Sequence, residues 1–241
     1  MTITQKTAVF LLFLILPFSI ARAGDVATVE VLGFDKTGDV FAFEEYGVQD
    51  GSGFPYANRF YIDTRTDEFL PGTPFRVRID DENANVETAR SKVRTLGENI
   101  IKDSVLAQNR GFTAGANAVT ELSADPFRIV VNPRPVFPPI DPTLEVRLEE
   151  IPLAGRPECE SQGPVAGFRL VRIDATNGGV TKLLHEDAAI PQSRLCPNGY
   201  RIGAVQTFFG GEEPVFAVLI AVRQYGFEGP DFRWIAVLGR M

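Results

Sequence analysis

The sequence predicts a mainly β fold of antiparallel sheets carrying one amphipathic helix. Three observations lead there. Short β-favouring runs separated by Gly, Pro, Asn and Asp turns fill most of the chain, with apolar residues at period two rather than 3.6. A single stretch has apolar residues at helical spacing. The two ends of the chain also carry the same strand-loop-strand pattern.

In chain order, Lys6 precedes an apolar run from Ala8 to Ile20, broken only by Pro17 and Ser19 and followed by Ala21-Arg22-Ala23. A basic start, a short apolar stretch and small residues two apart make 1–23 an export signal, with cleavage expected between Ala23 and Gly24. The run falls short of the roughly 20 residues that span a bilayer as a helix, and no later segment comes closer. The mature chain is therefore expected to be soluble, without a transmembrane segment, and secreted or periplasmic.

Residues 24–131 read as an N-terminal β half. Strands are expected at 26–32, 40–46 and 59–63, with turns at Asp35-Lys36-Thr37-Gly38 and Asp50-Gly51-Ser52-Gly53. Val86, Ala89, Val93, Leu96 and Ile100 then form one apolar stripe, so a helix is expected over about 85–108. Asn83 or Asn85 would cap its start and Gly111 would follow its end. Gly97 inside it would cost about 1 kcal/mol relative to Ala unless a neighbour packs closely there. Arg90, Lys92 and Arg94 read as a solvated face balanced by Glu87, Glu98 and Asp103.

Strand-like segments return at 127–131 and 144–150. Between them, residues 132–142 contain Pro133, Pro135, Pro138, Pro139 and Pro142, a stiff extended connector that cannot be a central strand. Residues 143–241 form the C-terminal β half. Its two cysteines, Cys159 and Cys196, are the only ones in the chain, and an isolated pair in an oxidising compartment is expected to form a disulfide.

The echo joins the two halves. Phe41-Ala42-Phe43-Glu44-Glu45-Tyr46-Gly47-Val48 is matched by Ile220-Ala221-Val222-Arg223-Gln224-Tyr225-Gly226-Phe227, and each continues through a Gly/Pro loop into an Arg-aromatic strand starting at Arg59 or Arg233. Phe34-Asp35-Lys36-Thr37-Gly38 with the strand after it, and Phe168 to Val180 around Asp174-Ala175-Thr176-Asn177-Gly178-Gly179, resemble the strands and turns of blades in translocation-type β-propellers. That resemblance implies blade-like hairpin repeats, assembled as a propeller-like ring or a sandwich. Over its whole length the chain resembles a bacterial family of predicted secreted proteins of unknown function. The residues that carry this are 41–56 with Tyr46-Gly47 and Asp50-Gly51-Ser52-Gly53, Pro71-Gly72-Thr73-Pro74, and Gly226-Phe227-Glu228-Gly229-Pro230-Asp231. The family implies export and assigns no reaction.

The residues exclude much chemistry. His185 is the only histidine, so multi-histidine metal sites are impossible, and HExxH, SxxK, GxSxG and GxxxxGK are all absent. No DxDxDG loop is present, and no metal or cofactor is expected. A net charge of −7 without any basic block argues against nucleic acid. His185 could act as a base oriented by a carboxylate of Glu186-Asp187, although a lone His on a polar turn is ordinarily just solvated.

The remaining candidate site is the echoed Tyr-Gly loops: Tyr46, Asp50, Phe54, Tyr56 and Arg59 in the first copy, Tyr225 and Arg233 in the second. Rings supply area and Arg supplies orientation, which suits an envelope protein, a peptide or a glycan. The alternative for these residues is structural, with Arg59 pairing Asp50 or Glu45 to hold the loop. The leading expectation is thus a non-catalytic binding protein of the cell envelope. Its rivals are a periplasmic hydrolase using Asp50 and Glu228, and a purely structural envelope protein.

Overall fold

The computed structural model describes residues 24–174 and 179–241. Period-two runs set the first sheet: β1 (Thr28–Phe34), β2 (Val40–Val48) and β3 (Pro55–Asp63) form a meander, and β4 (Glu68–Phe69) and β5 (Phe75–Arg78) both pair with β3. Two helices follow, α1 (Val86–Gly97) and α2 (Asp103–Gln108). The chain then supplies β6 (Phe112–Ala116), β7 (Arg128–Val131), β8 (Leu144–Pro152), β9 (Ala166–Asp174) and β10 (Val180–Glu186). It ends with β11 (Pro197–Phe208), β12 (Val215–Tyr225) and β13 (Pro230–Arg240). Strands β10-β9-β8-β7 make a second sheet and β13-β12-β11-β6 a third.

The third sheet is the middle layer. Val218, Ile220 and Val222 of β12 pack with Val146, Leu148, Phe168 and Leu170 of the second sheet. Ala217, Leu219 and Ala221, on the opposite face, pack with Phe41, Phe43, Phe60 and Ile62 of the first. With both faces covered, β12 is a continuous apolar run rather than an alternating one. Each large side chain buried there contributes about 1.5–3 kcal/mol relative to its exposed state.

Three stacked antiparallel sheets are a sandwich-like arrangement, and among the described residues they close into neither a barrel nor a propeller ring. The blade-like turns are present as ordinary hairpins: Asp35 accepts from the backbone N–H of Val40, and β9 pairs with β10. The turn at 175–178 lies outside the described residues, as does the segment 1–23 expected to be an export signal, Ala23 included; Gly24 is the first residue within them. The proline-rich segment 132–142 joins β7 to β8, which pair with each other, and β6 pairs with β11 across it.

The expected helix is two helices. Asn85 caps α1, its side chain accepting from the Thr88 N–H at 2.9 Å. Ala89, Val93 and Gly97 face the first sheet, whereas Leu96 is exposed. A Cβ at Gly97 would stand 2.2 Å from Tyr61 Oη, so the close neighbour that excuses this glycine is Tyr61. There the chain turns, and Glu98 accepts from the Asp103 N–H to start α2. Arg90 is not a solvated residue either, because the cleft between α1 and β2 draws it inward (below).

Cys159 and Cys196 form the expected disulfide, with Cα atoms 5.5 Å apart and a separation of 37 residues. Closing such a loop restricts the unfolded chain by about 4 kcal/mol on the entropic account. The bond fastens the 3-10 turn Pro157–Cys159 to the start of β11, beside Val165 and Ile190.

Candidate functional site: a trench along the central sheet edge

The echoed segments are both hairpins, β2–β3 and β12–β13, but their registers differ by one residue. Arg59 stands opposite Glu44, whereas Arg233 stands opposite Val222, the echo of Phe43. Tyr46 lies two residues inside its strand, while Tyr225 ends its own. A one-residue slip moves side chains to the other face, so the two arginines cannot do the same work.

Arg59 and Tyr46 face the helices. Arg59 is 1% exposed; its Nε donates to Glu44 Oε2 at 2.6 Å and its Nη1 to Asp103 Oδ1 at 2.7 Å. Arg90 Nε donates to the other oxygen of Glu44 at 2.6 Å, and its guanidinium lies 4.0 Å from the Tyr46 ring centroid. Burial works against the charge on Arg59, but the carboxylates of Asp103 and Glu44 outweigh it and hold the guanidinium protonated above its usual range. This cluster is sealed under α1 and α2. The carboxylates that hold Arg59 are therefore Glu44 and Asp103, not Asp50 or Glu45.

The opposite face of β2 carries Glu45, which accepts from Asn58 Nδ2 at 2.9 Å and from the Trp234 backbone N–H at 2.6 Å. Burial raises its pKa above the ordinary carboxylate range, against the pull of those two bonds and of Arg233 and Arg76. Asp67, in the β3–β4 turn at φ +58°, accepts from the Leu238 N–H at 2.9 Å. Burial pushes its pKa up to about 6, opposed by that bond and by His185 and Arg194. Two carboxylates of the first sheet thus cap backbone donors of β13.

Between them and the loops lies a trench of about 640 Å³ that brings together four of the seven predicted binding residues: Asp50, Tyr56, Tyr225 and Arg233. It leads into a hollow of about 200 Å³ beside Asp67 and His185, with Phe60, Phe69 and Arg194 common to both. Tyr56 donates its hydroxyl to Asp25 Oδ1 at 3.0 Å, and Asp25 Oδ2 accepts from Arg233 Nη2 at 2.6 Å. The Arg233 guanidinium lies 4.7 Å from the Tyr56 ring centroid. Tyr225 donates to the Pro164 carbonyl at 3.0 Å. Phe54 lies under the Arg78 guanidinium.

Asp50 and Glu228 meet, but not as a pair of facing acids: Asp50 Oδ2 accepts from the Glu228 backbone N–H at 2.8 Å, tying the two echoed loops together. Beside this contact Phe227 packs over Gly51. His185 does find a carboxylate. Its Nε2 stands 2.9 Å from Asp187 Oδ1, and Arg194 Nη1 donates to Asp187 Oδ2 at 2.5 Å. Burial would raise the Asp187 pKa, yet His185 and Arg194 bring it below the ordinary value. Glu186 instead pairs with Arg169 on the outside.

Sequence reasoning missed Asp67, Arg194 and Arg76. Arg76 in β5 has its guanidinium 5.5 Å from the Phe60 centroid and, among the described residues, no carboxylate within ion-pair reach. Period two along β5 would have paired Arg76 with Arg78 on one face; nothing in the sequence placed that face beside β13. A second depression, of about 650 Å³ near Lys36 and Gly211, is polar, and its Arg65 and Arg240 are both bound by Asp39.

Residues 42–240 match the family described as Predicted secreted protein (DUF2259), and the chain belongs to that family. No curated protein and no solved structure matches it. Family and disulfide together make this a secreted or periplasmic protein. No described helix is long and apolar enough to cross a membrane.

Proposed function

We propose that this is a non-catalytic binding protein of the cell envelope or exterior, and that its trench takes an extended polymer, a peptide or a glycan. The observation that carries the reading is a division of labour among the trench side chains. Asp50, Glu45 and Asp187 are each committed to a bond that holds the fold. Among the described residues Arg76 has no such partner, and Phe69, Tyr225 and Phe227 line the same trench with exposed rings. Free rings and a free guanidinium are what binding needs; free, facing acids are what hydrolysis needs.

Trp234 is the only tryptophan in the chain and lines the trench, so its emission reports on occupancy. Titration with blocked hexapeptide mixtures and with soluble cell-wall glycan fragments is expected to shift that emission saturably. Arg76→Ala should weaken the effect at least tenfold while leaving the melting temperature unchanged. Silence towards both ligand classes would leave the purely structural reading, and release of cleaved product would favour the hydrolase.

A further inference from the structure

The central sheet ends at β13, and its outer edge forms the floor of the trench. Backbone donors of an edge strand need partners, and this chain supplies them one by one. The N–H of Phe232 donates to the Asp25 carbonyl at 2.8 Å, that of Trp234 to Glu45, and that of Leu238 to Asp67. Alternation places the N–H and C=O of Ala236 on the same outward side, since the β12–β13 ladder runs without a bulge. Among the described residues they meet no partner. One rung is open, bracketed by two carboxylate-capped ones.

Building on the binding reading above, we infer that the trench takes an extended peptide as an added strand on β13, bonded at Ala236, with an acidic peptide side chain held by Arg76. The edge already accepts main chain of this kind: Val26 makes a parallel bridge with Phe232, Ala27 N–H donating to the Phe232 carbonyl at 3.1 Å. A peptide offers donors and acceptors at the 3.3 Å strand rise, which a glycan lacks. Charge selects the side chain, because Arg233 is bound by Asp25 and Arg194 by Asp187 while Arg76 has no ion pair among the described residues. Phe69 and Phe227 supply apolar area for side chains that point out of the floor. Glu45 and Asp67 keep the strand contact short.

The test is a positional library of terminally blocked hexapeptides, read by Trp234 emission, with N-methylation scanned along the best binder. The binder is expected to carry Asp or Glu at one position and apolar residues at alternate ones. A single N-methyl group at the residue facing Ala236 should weaken it at least tenfold, and its neighbours' N-methylation should not. Arg76→Ala should abolish the preference for the acid. Ala236→Pro should lose binding where Ala236→Val retains it; the peptide scan stands whether or not the proline variant folds. Binders indifferent to N-methylation at every position would overturn the inference. Saturable binding of glycan but of no hexapeptide would overturn it and leave the binding reading standing, while silence towards both would remove both.

Discussion

Glu44 and Glu45 are neighbours in β2, both buried, at 0% and 3% exposure, yet they sit in opposite electrostatic settings. Each oxygen of Glu44 receives a guanidinium Nε, from Arg59 and from Arg90, under the cover of α1. Glu45 receives a side-chain amide and a backbone N–H, with no guanidinium in ion-pair reach among the described residues. Strand alternation alone separates them. One face of the first sheet is a charge-neutral lock that the helices close. The other keeps a carboxylate whose burial outweighs the interactions that compensate it, because its task is to cap an edge strand from which a trench opens.

The contrast breaks most visibly on the two echoed arginines. Arg59→Ala should cost about 3–5 kcal/mol in chemical denaturation, since it strands buried Glu44 and loosens α2. Arg233→Ala, whose guanidinium is partly exposed and whose partner Asp25 keeps Tyr56, should cost only about 1–2 kcal/mol. Equal losses would deny any difference between the faces.

Gly97→Ala sharpens the picture of the closed side. Its Cβ would press on Tyr61 Oη, so a loss of about 1–3 kcal/mol is expected where helix propensity alone would favour alanine. A stabilised variant would show that α1 is free to move off the sheet.

On the trench side the test is pH. The folded-state pKa of Asp67 is raised to about 6, so its protonated form is favoured by folding. Its stabilising contribution is therefore complete below the ordinary carboxylate value and is lost as pH rises through about 6. Relative to Asp67→Asn, wild type should lose melting temperature steadily between pH 4 and 7. A gap independent of pH would contradict the burial of that carboxylate. Smallest of all, Arg76→Ala should change stability by less than about 0.5 kcal/mol, because it binds no acid among the described residues.

Much of the local structure was legible. Alternation located β2, β3, β7 and β8 to within a few residues, the largest miss being β3, which begins earlier than expected, at Pro55 rather than at Arg59. Cysteine count and compartment gave the disulfide. The echo found both hairpins, and four of its residues share the trench. It misjudged Tyr46 and Arg59 because a one-residue slip in register leaves no mark on a motif comparison. What sequence could not convey is the stacking order of the three sheets. Glu45 meets Trp234 across 189 positions and Asp67 meets Leu238 across 171, and such pairs follow from layering rather than from any local pattern.

Amide hydrogen exchange of the free protein, resolved residue by residue along β13, tests the central claim most directly. Trp234 and Leu238 donate to carboxylates and should exchange slowly, whereas Ala236 between them should exchange at least about a hundredfold faster. If Ala236 is protected as strongly as its two neighbours, the edge has no open rung, and the trench is a closed seam between sheets rather than a binding site.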